Sequence, residues 1–283
     1  MTRYLITGAS GMLGHDLQRA LAGRDVVALS RSELDITDPD AVAAAVAGVD
    51  VVFNCAAYTK VDAAETDEEA AHAVNAIGAE TLALATAAND AVLVQISTDY
   101  VFKGDATSPY QEDEPRDPLN AYGRTKAAGE EAVLRLNPAH GYVVRTAWLY
   151  GADGPNYPST ILRLGRERDS VSVVDDQVGQ PTWTADLAAQ LVLLADSGAP
   201  AGVYHGTNSG TASWYDFARA TFQEAGLSPD KVSPTDSSQF VRPAPRPAYS
   251  VLGHDAWSRA GLPPMRDWRA ALHEAANSGV FGE

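Results

Sequence analysis

Tyr122-Gly123-Arg124-Thr125-Lys126 sets a phenol and an ammonium group four residues apart, which on a helix is about one turn along the same face. A free tyrosine ionises near pH ~10, and a cation held beside it favours the phenolate. Such a pair can pass a proton to or from a carbonyl oxygen near neutral pH. With 11 Tyr and 4 Lys in 283 residues, chance yields this spacing less than once per chain, so the pattern suggests chemistry without proving it. Upstream, Ile96-Ser97-Thr98-Asp99-Tyr100-Val101-Phe102 closes an apolar run with hydroxyl groups. Thr98 can hydrogen-bond a carbonyl and hold it toward Tyr122; a strand-end cap is the plainer alternative. Asp99 and Tyr100 stand at the same place and join the candidate substrate contacts, although local structure accounts for them as well.

A second constellation lies near the N-terminus. Thr7-Gly8-Ala9-Ser10-Gly11-Met12-Leu13-Gly14 separates a short β-like run from an apolar pattern at helical spacing that begins at Met12. Glycines at a strand-to-helix turn let backbone N–H groups and a helix N-terminus approach a pyrophosphate. That makes Gly8, Ser10, Gly11, Met12, Leu13 and Gly14 candidate cofactor contacts; a tight turn without a ligand is the competing reading. The next apolar run ends in Leu29-Ser30-Arg31, where an NAD-selective site carries a carboxylate and an Arg accommodates a 2′-phosphate. Ser30 and Arg31 therefore point to NADPH, with NADH left open because Glu33 can serve the ribose.

These groups need a scaffold that gathers them at one edge. Apolar runs over 3–7, 25–29, 49–55, 92–96 and 141–146 alternate with helix-like stretches over 12–21, 39–47, 68–88 and 121–136. Continuous apolar strands separated by helices predict an α/β fold: a Rossmann-like, doubly wound parallel sheet of about six β/α repeats. Ligands of such sheets bind at the carboxyl ends of the strands, where Thr98 and the glycine turn both fall. Beyond Gly151 the rhythm loosens. A helix over 184–195 and a strand over 202–205 are expected to return to the sheet, and a further helix covers 213–225. Pro-rich Arg242-Pro243-Ala244-Pro245-Arg246-Pro247 reads as a fixed extended loop suited to a cap. The expected division is an NAD(P)-binding domain over 1–150 and a smaller, mainly substrate-binding C-terminal region over 151–283, with 184–206 rejoining the first. The terminal 279–283 is expected to fray.

Composition narrows the classes of function. Hydrophobic residues at 45% and charged residues at 20% are ordinary for a globular protein. A formal charge of −16, from 37 acidic against 21 basic residues, argues against a general nucleic-acid binder. It suits a salt-adapted surface or a GC-rich genome equally. Cys55, the single cysteine, excludes an internal disulfide. No run approaches the ~18 apolar residues of a membrane helix, and Thr7 and Gly8 fall where a signal peptide is still apolar, so a cytoplasmic protein without membrane contact is expected. The histidines lack ligand spacing and Glu112-Asp113-Glu114 reads as a solvated loop, so no metal is expected.

Five stretches, Asn54-Cys55-Ala56-Ala57-Tyr58-Thr59-Lys60-Val61-Asp62, Ser97 to Phe102, Arg145-Thr146-Ala147-Trp148-Leu149-Tyr150, Asp176-Gln177-Val178-Gly179-Gln180-Pro181-Thr182 and Arg246-Pro247, carry a wider likeness. Over nearly the whole chain they resemble the dTDP-4-dehydrorhamnose reductase family of the extended short-chain dehydrogenase/reductase superfamily. The three-and-three spacing of Gly8, Gly11 and Gly14 is similar to that superfamily's turn. The resemblance implies reduction of the C4 ketone of dTDP-4-dehydro-6-deoxy-L-mannose to dTDP-L-rhamnose, the last step of activated rhamnose synthesis. It implies Tyr122 as proton donor, Lys126 lowering the phenol's pKa and binding the nicotinamide ribose, and Thr98 completing the triad. By the same likeness Asp35 and Ile36 flank the adenine, and Ala56, Ala57 and Tyr58 line the cofactor; Asp35 as a turn residue stays equally open. Thr59, Val61 and Trp148 match positions around the deoxysugar, with the indole an apolar wall for a 6-methyl group. Asn156, Gln177 and Arg246 match nucleotide-sugar contacts, Arg246 being suited to a phosphate. Trp148 as core, Arg246 as a solvated charge, and Asn156 and Gln177 as turn residues are the alternatives.

Members with magnesium-bridged dimers carry glutamates after the glycine turn and near the Pro-Thr motif. Here Asp16 and Thr184-Ala185 stand in those regions, so a monomer or a homodimer without a metal bridge is expected. Two other functions share the likeness: another nucleotide-sugar reductase or epimerase, and a non-catalytic regulatory subunit of the kind that partners methionine adenosyltransferase in animals. Intact Thr98, Tyr122 and Lys126 argue against the second.

Overall fold

The apolar runs become strands because each buries side chains on both faces. The computed structural model describes residues 1–281. Its first half runs β1 (Arg3–Thr7), α1 (Met12–Ala20), β2 (Asp25–Leu29), α2 (Pro39–Val46), β3 (Val51–Asn54), α3 (Val61–Ala64) and α4 (Glu68–His72). A π-helical turn, Ala73–Ile77, leads into α5 (Gly78–Ala88), then β4 (Val92–Thr98), a short turn Asp99–Val101, α6 (Ala121–Leu136) and β5 (Gly141–Thr146). The second half runs β6 (Leu149–Tyr150), α7 (Tyr157–Glu167), β7 (Val171–Val174), β8 (Val178–Gly179), β9 (Thr182–Trp183), α8 (Thr184–Ser197) and β10 (Gly202–His205). It closes with β11 (Ala212–Ser213), α9 (Trp214–Glu224), β12 (Val232–Thr235), α10 (Asp255–Arg259) and α11 (Trp268–Asn277).

Six strands form one parallel sheet in the order β2-β1-β3-β4-β5-β10. Strand alternation sorts its core into two layers. Leu5, Val52, Leu93 and Val143 face one side, under Val42 and Val46 of α2, Leu82 of α5 and Val133 of α6. Tyr4, Ile6, Phe53, Val94 and Val144 face the other, under Leu13 and Leu17 of α1 and Leu187 and Leu191 of α8. Full burial of each such aliphatic side chain contributes ~1.5–3 kcal/mol before chain entropy is counted. The sheet order reverses between β1 and β3, so a crevice opens above the carboxyl ends of those strands.

Three departures from expectation have physical reasons. The helix over 68–88 is interrupted by the π turn, whose Asn75 donates to Tyr58 O at 3.1 Å and Thr125 Oγ1 at 3.0 Å, while its own Oδ1 accepts from Tyr58 N at 2.9 Å. These bonds compensate for the irregular turn, a feature common at functional sites. The strand over 92–96 runs on to Thr98, because Ser97 and Thr98 still pair with Arg145 and Thr146. Elements α7, β7 and β12 carry too short an apolar pattern to stand out alone: Ile161, Leu162, Val171, Val173 and Val232 bury one another and Phe222 of α9 in a satellite cluster, while α11 packs through Trp268, Ala271, Leu272 and Ala275 in another. The loop over 242–247 has neither helix nor strand, as its prolines require. At the terminus the fraying expectation fails for Val280, which is buried, and for Phe281, which packs on the C-terminal clusters; residues 282–283 lie outside the described residues. Among the described residues no helix is long and apolar enough to cross a membrane.

Candidate active site

A cleft of about 450 Å³ lies over the crevice. Gly8, Ser10 and Gly11 line it from the turn, Arg31, Asp35 and Ile36 from the segment after β2, and Ala56, Ala57, Tyr58 and Thr59 from the segment after β3. Gly8 adopts φ +66°, and a Cβ there would sit 2.6 Å from Ala56 N, so only glycine fits. Gly11 caps α1 without a side-chain hydrogen bond, and the first turn holds no acidic residue. The N–H groups of that turn thus remain available to an anion. Met12, Leu13 and Gly14 do not line the cleft: the Leu13 side chain is in the core, and a Cβ on Gly14 would meet Gly8 O at 2.6 Å.

At the far end Ser10, Ser30, Arg31 and Ser32 surround an open hollow. Glu33 turns back on the chain, accepting from Ser30 N at 2.8 Å and Ser30 Oγ at 2.6 Å, bonds that hold its carboxyl below the usual range. Asp35 lines the cleft and also accepts from Thr37 N and Oγ1, so both readings of that residue meet. The cradle a Cβ would fill, the open helix start and the Arg31 hollow fit a dinucleotide with a 2′-phosphate. Leu34, Thr37, Cys55, Ala70, Ala73 and Val74 also line the cleft and were not foreseen. Ala73 and Val74 are there because of the π turn, which has no signature in the sequence.

The proton-transfer residues meet where α6 passes the end of β4. Asn120 fixes the helix start: Oδ1 accepts from Gly123 N at 2.8 Å, and Nδ2 donates to Pro245 O at 3.0 Å. A Cβ on Gly123 would lie 2.2 Å from Tyr100 O, so the helix reaches the turn after β4 only with glycine at that position. Tyr122 is partly buried, its ring edge-on to Tyr100 with centroids 5.7 Å apart. Burial, and then the charge of Asp99, push its phenol up; a hydrogen bond with Thr98 pulls it partly back. Lys126 is buried and donates from Nζ to Ile96 O at 2.6 Å; burial lowers it to about 8 against the opposing pull of Glu130.

In the structure Lys126 is not among the groups that shift the phenol, which burial and Asp99 push up. The ammonium is engaged by the backbone of β4, and a neighbouring carboxylate and a dry environment both favour the neutral phenol. The neutral form is the one a proton donor requires.

On the remaining side, Trp148 holds φ +47°, strained for a residue with a side chain. Its indole lies against Gly179, stacks on Trp214 at 3.7 Å and 10°, and packs half-buried against the C-terminal core cluster. Trp214 is a residue that sequence reasoning missed, since only the fold brings it to Trp148. Arg246 is not a solvated loop charge: it pairs with Asp62 at 2.9 Å, donates to Ala244 O at 3.0 Å and lies 6.0 Å from the Tyr100 ring centroid. Val61, at the start of α3, adjoins Asp62 and so belongs to the same rim.

Asn156 is corrected. Its Nδ2 donates to Gly151 O and its Oδ1 accepts from Ser159 N and Oγ, so it caps α7 and is engaged at both ends of its amide. Gln177 donates to Ser237 Oγ at 2.8 Å, bracing the segment that leads to the proline-rich loop.

The parallel sheet with its reversal point, the glycine turn and the Tyr-x-x-x-Lys helix are those of a short-chain dehydrogenase/reductase. The chain belongs to the family described as RmlD substrate binding domain, which matches residues 2–280. It is 53% identical over 281 residues to a dTDP-4-dehydrorhamnose reductase of Streptomyces griseus, covering 96% of this chain and 92% of that one. It is 51% identical over 277 residues to a dTDP-4-keto-6-deoxy-D-glucose reductase of Streptomyces niveus, covering 96% of each. The solved structure of a dTDP-4-dehydrorhamnose reductase from Bacillus anthracis, in complex with NADP, matches with a TM-score of 0.94 at 40% identity, covering 98% of this chain and 100% of that one.

Proposed function

We propose that this chain reduces the C4 ketone of dTDP-4-dehydro-6-deoxy-L-mannose to dTDP-L-rhamnose at the expense of NADPH, the last step of activated rhamnose synthesis. One observation carries the reading: a phenol held neutral by burial, Tyr122, one turn from the buried Lys126 at the end of β4, on the sheet edge where the glycine-turn cleft also opens. The kinship with reductases of dTDP-linked 4-keto sugars supports it. NADPH supplies the hydride when bound, held by the glycine turn, Ser30, Arg31, Asp35, Ile36 and the 56–58 segment. Tyr122 gives its proton to the ketone oxygen, and Thr98 orients that oxygen. Lys126 carries the positive charge that steadies the phenolate left behind and binds the ribose. Trp148 walls the 6-methyl side, Thr59 and Val61 close the rim, and Arg246, preset by Asp62, meets a phosphate.

Residues 1–150 with 184–206 then serve the cofactor, and the rest of 151–283 mainly the sugar nucleotide. The chain acts as a cytoplasmic monomer, or as a homodimer without a metal bridge through the Asp16 region. There Arg19 pairs with Asp16 at 2.7 Å and Asp153 at 2.6 Å, and Thr184 Oγ1 donates to Tyr150 O. The test is NADPH oxidation with the epimerised and the unepimerised dTDP-4-keto-6-deoxy sugar offered separately. Turnover of the epimerised sugar supports the reading. Preference for the unepimerised one favours the second reading, that of the Streptomyces niveus relative. No turnover of either, with tight binding to a partner protein, favours a regulatory subunit.

A further inference from the structure

Asp99 follows Thr98 and is only 2% exposed, yet the reaction as described gives it no part. Thr98 Oγ1 donates to Asp99 Oδ1 at 2.9 Å and accepts from Tyr100 N at 3.2 Å, while Asp99 Oδ2 has no hydrogen-bond partner. A hydroxyl has one proton to give. As long as Asp99 is a carboxylate it holds that proton, and Thr98 presents only lone pairs to the phenol and to an incoming ketone oxygen. For Thr98 to donate to the ketone, its proton must turn away. The buried carboxylate then loses one of its stabilising neighbours and keeps only Ser250 and nearby backbone N–H groups against its burial. A proton taken from solvent by Asp99 resolves this, because the carboxylic O–H can donate back to Thr98 Oγ1. No electron moves, and the chain of donors runs Asp99 to Thr98 to ketone.

We propose that Asp99 is a positioning residue that takes up a proton when the keto sugar binds, and so turns the Thr98 hydroxyl into a donor to the ketone oxygen. The inference rests on the reading of the site given above. Facing Asp99 are Thr98 and Tyr100 on its own segment, Tyr122 on α6 and Ser250 on the C-terminal segment. The nearest further charges are engaged elsewhere, Arg246 with Asp62 and Lys126 with Ile96 O. Burial raises the Asp99 carboxyl to about 6, so it is ionised at neutral pH and within reach of protonation.

The experiment is calorimetric titration of the full chain, saturated with NADP+, with dTDP-4-dehydro-6-deoxy-L-mannose in buffers of different ionisation enthalpy. The oxidised cofactor prevents turnover. The wild type should take up about one proton per site at pH ~7.5, and Asp99→Asn, whose amide already donates, should take up none. The sugar's KM should rise about tenfold per pH unit above that pKa in the wild type but not in the variant. Should Asp99→Asn fail to fold, infrared difference spectra of the wild type decide, through a protonated-carboxyl band that appears on binding. Sugar binding without proton uptake or without that band, or with equal uptake in Asp99→Asn, overturns the proposal. Failure of the wild type to bind or reduce this sugar overturns the functional reading on which it stands.

Discussion

The glycine turn and the end of β4 share one sheet edge but differ in material. At the glycine turn, Ser10, Gly11, Arg31 and Asp35 are exposed, and what they offer is mostly backbone N–H groups and a solvated guanidinium. At the end of β4 Thr98, Asp99 and Lys126 are buried, and burial, then neighbouring groups, sets the proton affinities of Asp99 and Lys126. Water screens the first end, so a side chain there acts by being present and contributes modestly. The dry end amplifies every charge, so a single proton changes what the others can do.

Removing the phenol tests the contrast most severely. Tyr122→Phe should lower kcat ~10³-fold with NADPH affinity unchanged, since only proton transfer is lost. Stopped-flow reduction and fluorescence titration measure both, and unaltered turnover would remove Tyr122 from the mechanism.

At the other end a backbone change should do what side-chain changes do not. Gly8→Ala places a methyl 2.6 Å from Ala56 N at a left-handed φ, and should weaken NADPH binding ~100-fold or more and lower Tm. Affinity equal to the wild type would break the picture of a backbone cradle.

Titration sharpens the dry end. Lys126 is charged below about pH 8, so kcat should fall about tenfold per pH unit above it. Its folded pKa lies below the ordinary lysine value of 10.5. Raising pH across that window therefore relieves a buried charge, and Lys126's contribution to stability increases. Loss of rate there without loss of Tm is the expected result, and a flat profile would contradict the assignment.

Exposure makes the next effect smaller. Arg31→Ala should raise the NADPH Kd ~10-fold and leave that of NADH nearly unchanged; equal losses would remove the 2′-phosphate role. Least of all, Asn156→Ala should cost ~1 kcal/mol of stability through its lost helix cap, with the sugar's KM unmoved. A raised KM would return Asn156 to the substrate.

Much of this organisation was legible in local pattern. The glycine turn follows β1 and precedes α1 where spacing placed it, and Tyr122 and Lys126 share α6 because both fall within one uninterrupted helical period. A short β-like run after a helix, Gly202–His205, marked a strand that could return to the sheet, and β10 lies beside β5. Each of these depends on residues within a few positions of one another, so sequence alone determined them. Distant partners were not legible. Only the tertiary structure set Trp214 on Trp148, paired Arg246 with Asp62, tied the Asn75 π turn to Tyr58, and gave Asn156 to a helix cap. It also buried Tyr122 beside Asp99, because proton affinity follows burial and nearby charge, and both are known only once the chain has closed around the phenol.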